Sequence, residues 1–193
     1  MDKSNGYEGV ALRFINDRGR AIQGVGTSAV RQWARTLSPG STVLDIGCGT
    51  GIPISNVLID EGLTVYGIDA SPTLVNTFRQ NFPTSPVICE SVEDSSFFNR
   101  QFKAIIAWGL LFLLPEKSQA LVLQKAANAL QTGGKLLFTS PYQSTQWQDV
   151  MTEQGSLSLG GDAYKALLFA SGLALLEEFE DEGENHYFSA VKR

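Results

Sequence analysis

The stretch Val43-Leu44-Asp45-Ile46-Gly47-Cys48-Gly49-Thr50-Gly51 limits what this chain can fold into more than any other. It begins as the apolar run of a strand covered on both faces. Gly47, Gly49 and Gly51 then permit a tight turn and a close approach of backbone to a ligand. A second acidic residue, Asp69, closes the next strand, Val65-Tyr66-Gly67-Ile68-Asp69. Together these describe a pocket for a nucleoside-bearing cofactor, and the glycine spacing decides which one. A dinucleotide site needs Gly-x-Gly-x-x-Gly, so that a helix N-terminus meets a pyrophosphate. Here Ile52 stands at the last of those positions. Asp45, just before the turn, repels a pyrophosphate and attracts an ammonium group. The combination favours a cofactor with an amino-acid end.

Strands and helices alternate after residue 40, which predicts an α/β sheet with helices on both faces. Val30, Trp33, Ala34 and Leu37 recur at helical spacing up to Ser38-Pro39-Gly40. Thr42–Ile46 is the first strand, and Pro53 falls in the first turn of the helix after the glycines. Ser71-Pro72 starts a helix whose buried face is Leu74, Val75, Phe78 and Phe82. Residues 86–90 and 103–108 read as strands, and 116–130 as a helix closed by Thr132-Gly133-Gly134. A fifth strand over 135–139 leads to a long loop, 140–161. Asp162 caps a helix ending at Gly172, and strands over 173–180 and 186–191 flank an acidic turn.

At 193 residues the chain fits one domain with a substantial core, and its 43% apolar and 18% charged content is that of a globular protein. A net charge of −5 without a run of Lys and Arg argues against a nucleic-acid surface. The N-terminus lacks the apolar core of a signal peptide and no segment approaches a membrane span, so a cytoplasmic protein without a membrane partner is expected. Cys48 and Cys89 fit neither a disulfide framework nor a metal site and read as two free thiols.

Across Val43–Gly51 the chain resembles the class I S-adenosylmethionine-dependent methyltransferases, and the order of elements extends that resemblance over roughly residues 28–193. Trp147-Gln148-Asp149-Val150 with Gly183-Glu184-Asn185-His186-Tyr187 further resembles a bacterial, small-molecule-type branch of that superfamily. The resemblance implies a Rossmann-like, three-layer sandwich in one domain, residues 1–193. Its seven-stranded, mostly parallel sheet has the order 3-2-1-4-5-7-6, with the last strand antiparallel. It also implies S-adenosyl-L-methionine as cofactor. The methionine end would lie over Gly47, Cys48, Gly49, Gly51 and Ile52, with Asp45 near its amino group. Asp69 would take both ribose hydroxyls, a carboxylate having two acceptor oxygens for the two donors of a vicinal diol. Ala70 and Ser71 would flank the ribose and adenine. Glu90 or Glu93 would meet the adenine amine, with Ser91 and Val92 offering backbone groups. Trp108 either packs near the sulfonium, whose charge an aromatic face attracts, or belongs to the core.

The turn before the last strand lies at the carboxyl edge of the sheet in this fold. Glu184, Asn185, His186 and Tyr187 are therefore candidates for acceptor binding, with Trp147, Asp149 and Tyr164 bordering the same side. His186 is the candidate general base, with a pKa near ~6.5 suited to neutral pH, and Glu184 the second choice; a direct displacement also works without a base. Residues 1–27 are expected to form an N-terminal lid, with Tyr7, Phe14 and Arg18 closing the site and Tyr7 also a candidate for acceptor binding, or else a plain surface helix.

The motifs that mark nucleobase-amine, glutamine, cytosine-carbon and arsenic methyltransferases are absent, and no magnesium site of the catechol type is recognisable. The expected activity is methyl transfer to a small molecule. A protein or RNA methyltransferase and a non-catalytic S-adenosylmethionine-binding module are the alternatives. Acceptor identity and oligomeric state are not legible.

Overall fold

The computed structural model describes residues 3–193. Two short helices, α1 (Ala11–Asp17) and α2 (Thr27–Ala34), precede the sheet. Then come β1 (Thr42–Ile46), α3 (Ile54–Asp60), β2 (Thr64–Asp69), α4 (Pro72–Asn81), β3 (Val87–Cys89), β4 (Phe102–Ala107) and α5 (Glu116–Ala129). The chain continues through β5 (Leu130–Thr139), β6 (Thr145–Gln148), β7 (Gly155–Ser158), α6 (Gly161–Ala170), β8 (Leu173–Glu180) and β9 (His186–Lys192).

The main sheet has seven strands in the order β3-β2-β1-β4-β5-β9-β8. The first five run parallel and β9 inserts antiparallel between β5 and β8. With the hairpin β6–β7 set apart, this is the expected 3-2-1-4-5-7-6 sheet.

Strand alternation divides the core into two layers. Leu44, Ile46, Ile105, Leu136, Phe138 and Phe188 face α5 and α6. Val43, Val65, Ala104, Ile106, Leu137 and Tyr187 face α2 and α3. A smaller cluster of Ala11, Ile15 and Leu74 fixes α1 on α4, bringing the N-terminal segment over the carboxyl ends of the parallel strands.

Several boundaries shift by a residue from the sequence expectation, and three differences are larger or change a role. β5 starts at Leu130, where α5 was expected to end, because Leu130 pairs with Phe102 before the regular register resumes at Lys135. The loop over 140–161 contains β6 and β7, paired from Thr145 to Ser158. Gly160, not Asp162, is the cap position of α6, and Asp162 lies in its first turn. Ser71 does cap α4, accepting a hydrogen bond from the Leu74 N–H at 3.2 Å with Pro72 next in line.

Candidate active site

The glycine turn sits where β1 gives way to α3. Gly47, Gly49 and Gly51 all take left-handed φ angles of 75°, 55° and 79°. The Gly47 and Cys48 N–H groups both donate to the Ile68 carbonyl, at 2.7 and 3.0 Å, tying the turn to the end of β2. Gly51 serves packing: a side chain there would stand 2.4 Å from Phe82 and 2.8 Å from Phe78. Gly51 thus lets α4 close on the turn and does not border the cavity, contrary to the expected contact with a ligand.

A cavity of about 610 Å³ opens over this turn. Asp45, Gly47, Cys48, Gly49, Ile52 and Asp69 form its floor. Asp45 is buried, and its Oδ2 accepts from the Ser55 hydroxyl at 2.6 Å. Burial pushes its pKa up to about 7 against that hydrogen bond, and the Asp69 charge adds to the rise. Asp69 Oδ2 accepts from the Gly49 N–H and Oδ1 from the Ser71 N–H, both at 2.8 Å. Each oxygen retains a further lone pair, so the carboxylate can receive two more donors. Burial raises the Asp69 pKa, opposed by those backbone donors.

Ala70, Val92, Glu93 and Trp108 border the same cavity. Ser71 and Ser91 do not: Ser71 caps α4, and the Ser91 hydroxyl donates to Asp94 at 2.9 Å. Lys125 on α5 donates to the carbonyls of Val92 and Glu93, both at 2.7 Å, and so sets the position of that loop. Cys48 is buried, with its thiol pKa pushed well up by burial. No metal-binding group of His, Cys, Asp and Glu occurs among the described residues.

The N-terminal segment supplies the opposite wall with Asn5, Tyr7, Phe14, Arg18 and Val25. Several contacts hold it there. Glu8 accepts from the Ser71 hydroxyl, and from the Thr73 N–H and hydroxyl at 3.1 and 2.7 Å. The Thr50 hydroxyl donates to the Gly19 carbonyl at 3.1 Å, and Tyr7 to Asp149 at 3.3 Å. Lys3 pairs with Asp94.

Among the acceptor candidates, Tyr7 and Asn185 border the cavity, and the others stand elsewhere. Tyr187 lies behind Trp108, accepting its Nε1–H at 2.8 Å while donating to Asp181 Oδ2 at 2.7 Å. Trp147 stands behind Phe112, with ring centroids 5.4 Å apart. Tyr164 is fully buried and donates to Gln119 at 2.7 Å. Glu184 occupies a left-handed turn position with φ 60° and is not in the wall.

His186 points the wrong way for a base acting in this cavity. Alternation along β9 sends Tyr187 toward the α2 side and His186, with Phe188, toward the other. There its ring nitrogens meet Glu178 at 3.2 Å and Glu180 at 3.4 Å, and the ring packs on Tyr142.

Sequence reasoning missed Phe112 and Leu113, which with Leu110 make one wall apolar, and the hydrogen bonds that Asp181 accepts from Asn185 and Tyr187. The signals were an apolar run directly after the fourth strand and an aspartate opening the acidic turn.

A family model described as a methyltransferase domain matches residues 43–134, from β1 to the start of β5. The structure of CcbJ methyltransferase from Streptomyces caelestis superposes with a TM-score of 0.80 over 100% of both chains, at 14% identity. The chain has the class I methyltransferase fold. That fold is also shared with magnesium protoporphyrin IX methyltransferase from Synechocystis PCC 6803, crystallised with bound S-adenosylmethionine (TM-score 0.73, 16% identity, 100% of this chain and 98% of that one). Among curated relatives, probable tRNA methyltransferase 9B of Mus musculus is 29% identical over 132 residues. That match takes in 68% of this chain but spans only 27% of the relative's length. No helix among the described residues is long and apolar enough to cross a membrane.

Proposed function

We propose that this chain transfers a methyl group from S-adenosylmethionine to a small-molecule acceptor by direct displacement. One observation carries the reading: Asp45 and Asp69 border a single cavity, one beneath the glycine turn and one beside it. Asp45 suits an ammonium group, and the remaining lone pairs of Asp69 suit a vicinal diol. Val92 and Glu93 provide a border for the adenine, and Gly47 and Gly49 leave room for the amino-acid end.

When bound, S-adenosylmethionine supplies a methyl group activated on a positively charged sulfur. The protein's part is alignment and exclusion of water. Trp108 offers an aromatic face to positive charge. Leu110, Phe112 and Leu113 keep that side apolar, and the strap over 3–25 serves as the lid. The positions of His186 and Glu184 leave no expected base in the wall, which favours an acceptor that attacks through a lone pair it already has.

Calorimetry with S-adenosylmethionine and S-adenosylhomocysteine tests the reading. Failure of the folded protein to bind either at millimolar concentration overturns it. Transfer of labelled methyl groups to a cell metabolite extract, with identification of the product by mass, then separates an enzyme from a binding module. An RNA substrate is the second reading, favoured by the tRNA methyltransferase relative and opposed by the net charge of −5. Labelling of total tRNA in preference to metabolites would support it.

A further inference from the structure

We infer that Asn185 holds the methyl acceptor through a side-chain carbonyl fixed in orientation by Asp181, and that the acceptor is an uncharged amine carrying N–H. This rests on the function proposed above and deepens it.

Several donors converge on the Asp181 carboxylate. Its Oδ1 accepts from the backbone N–H groups of Gly183 and Asn185 at 2.9 and 3.0 Å. The Asn185 side-chain nitrogen donates to Oδ1 at 3.1 Å and to Oδ2 at 3.0 Å. Tyr187 donates to Oδ2 as well, while accepting from Trp108. Burial acts to raise the Asp181 pKa, but the donors from Asn185, Tyr187 and Gly183 together outweigh it and hold the group below its usual range. Asp181 is therefore an acceptor only. Turning the Asn185 amide over would set oxygen against oxygen, so its nitrogen stays on Asp181. Among the described residues no hydrogen bond reaches Asn185 Oδ1, and Asn185 borders the cavity. The group left to receive a ligand is a carbonyl oxygen.

Packing makes this arrangement rigid. A side chain on Gly183 would stand 2.2 Å from Val25. One on Gly26 would stand 2.7 Å from Trp108 Nε1 and 2.9 Å from the Tyr187 oxygen. The strap thus presses on the same Trp108–Tyr187–Asp181 chain that orients Asn185.

A fixed carbonyl selects a partner that donates. It accepts a hydrogen bond but cannot remove a proton, so it gives an alcohol no help in becoming nucleophilic. An amine keeps its lone pair while one N–H is held. Its nitrogen–carbon bond forms as the carbon–sulfur bond breaks, with that electron pair passing to sulfur, and the product ammonium releases its proton to water.

Ligand-observed NMR on protein saturated with S-adenosylhomocysteine tests this with aniline against N,N-dimethylaniline, and labelled-methyl transfer from S-adenosylmethionine tests it with aniline against phenol as acceptor. Aniline is expected to bind at least about fivefold tighter than its dimethyl partner, the scale of one neutral hydrogen bond. The preference should vanish in Asn185→Leu and in Asn185→Ala, and fall in Asp181→Asn, where Asn185 remains but is free to turn. S-adenosylhomocysteine affinity should hold within about threefold throughout. Equal behaviour within the aniline pair, whether both bind or neither, overturns the inference. So does faster methylation of phenol than of aniline, and so does loss of S-adenosylhomocysteine affinity in the Asn185 variants. Failure of the unmodified protein to bind S-adenosylhomocysteine instead overturns the function on which the inference rests.

Discussion

Asp45 carries a charge that the fold itself opposes. Its carboxyl is buried under the glycine turn with one hydroxyl donor, and its pKa rises from 3.8 to about 7. For a carboxyl raised in this way, ionisation costs stability. The cost is absent below the unfolded pKa and complete above about 7. An ammonium placed against it reverses the balance by favouring the charged form. Cofactor binding should therefore expel a proton below pH 7, with affinity falling toward about tenfold per pH unit as the medium is acidified and levelling off above. Calorimetry between about pH 5.5 and 8, in buffers of different ionisation heat, reads both effects, and Asp45→Asn should flatten the profile. Asp69 makes a separate contribution. Asp69→Ala is expected to weaken S-adenosylmethionine binding by about 1.5–3 kcal/mol, the range for charged hydrogen bonds. Unchanged affinity would show that the ribose is held elsewhere.

At the scale of elements, Glu8 ties the strap to the start of α4. Its carboxylate takes the Thr73 N–H that an unassisted helix end leaves unpaired, besides the Ser71 and Thr73 hydroxyls. Glu8→Ala should cost about 1 kcal/mol, as loss of a helix cap does. Amide exchange across α1 should quicken accordingly, with less change in β1 and β4. Uniform quickening would mean that the strap is not separately held. The same elements show what sequence can and cannot convey. The central strands were legible because burial on both faces demands apolar runs, unbroken in Ala104–Ala107 and interrupted in Val43–Ile46 by Asp45 alone. The hairpin of β6 and β7 was not, since Thr-Gln-Trp-Gln and Gly-Ser-Leu-Ser are short and largely polar. The floor of the site was legible from Asp45 to Asp69, because one local turn builds it. The wall was only half legible. Asn185 and His186 are neighbours in sequence, yet strand geometry sends His186 to the opposite layer, and the pattern of charges alone does not reveal it.

The whole molecule gathers its cavity from segments far apart in the chain: residues 3–25, the turn at 47–52, Asp69, Val92, Trp108 and Asn185. No one segment is a site by itself, so ligand affinity is linked to the integrity of the entire sheet and of the strap that covers it. A ligand that binds only this assembled state stabilises it by mass action. At about a hundredfold above its dissociation constant, S-adenosylhomocysteine should add ~2.7 kcal/mol to the unfolding free energy. For a domain of this size that corresponds to a rise in Tm of roughly 5–10 °C. Calorimetry should show one transition moving as a whole, because α1 is packed on α4 through Ala11, Ile15 and Leu74 and α4 is part of the central structure. If a small early transition were instead to stay put while the main one moved, the strap would melt independently of the site. Its residues would then be bystanders to binding, and Tyr7 and Arg18 would have no part in holding the ligand.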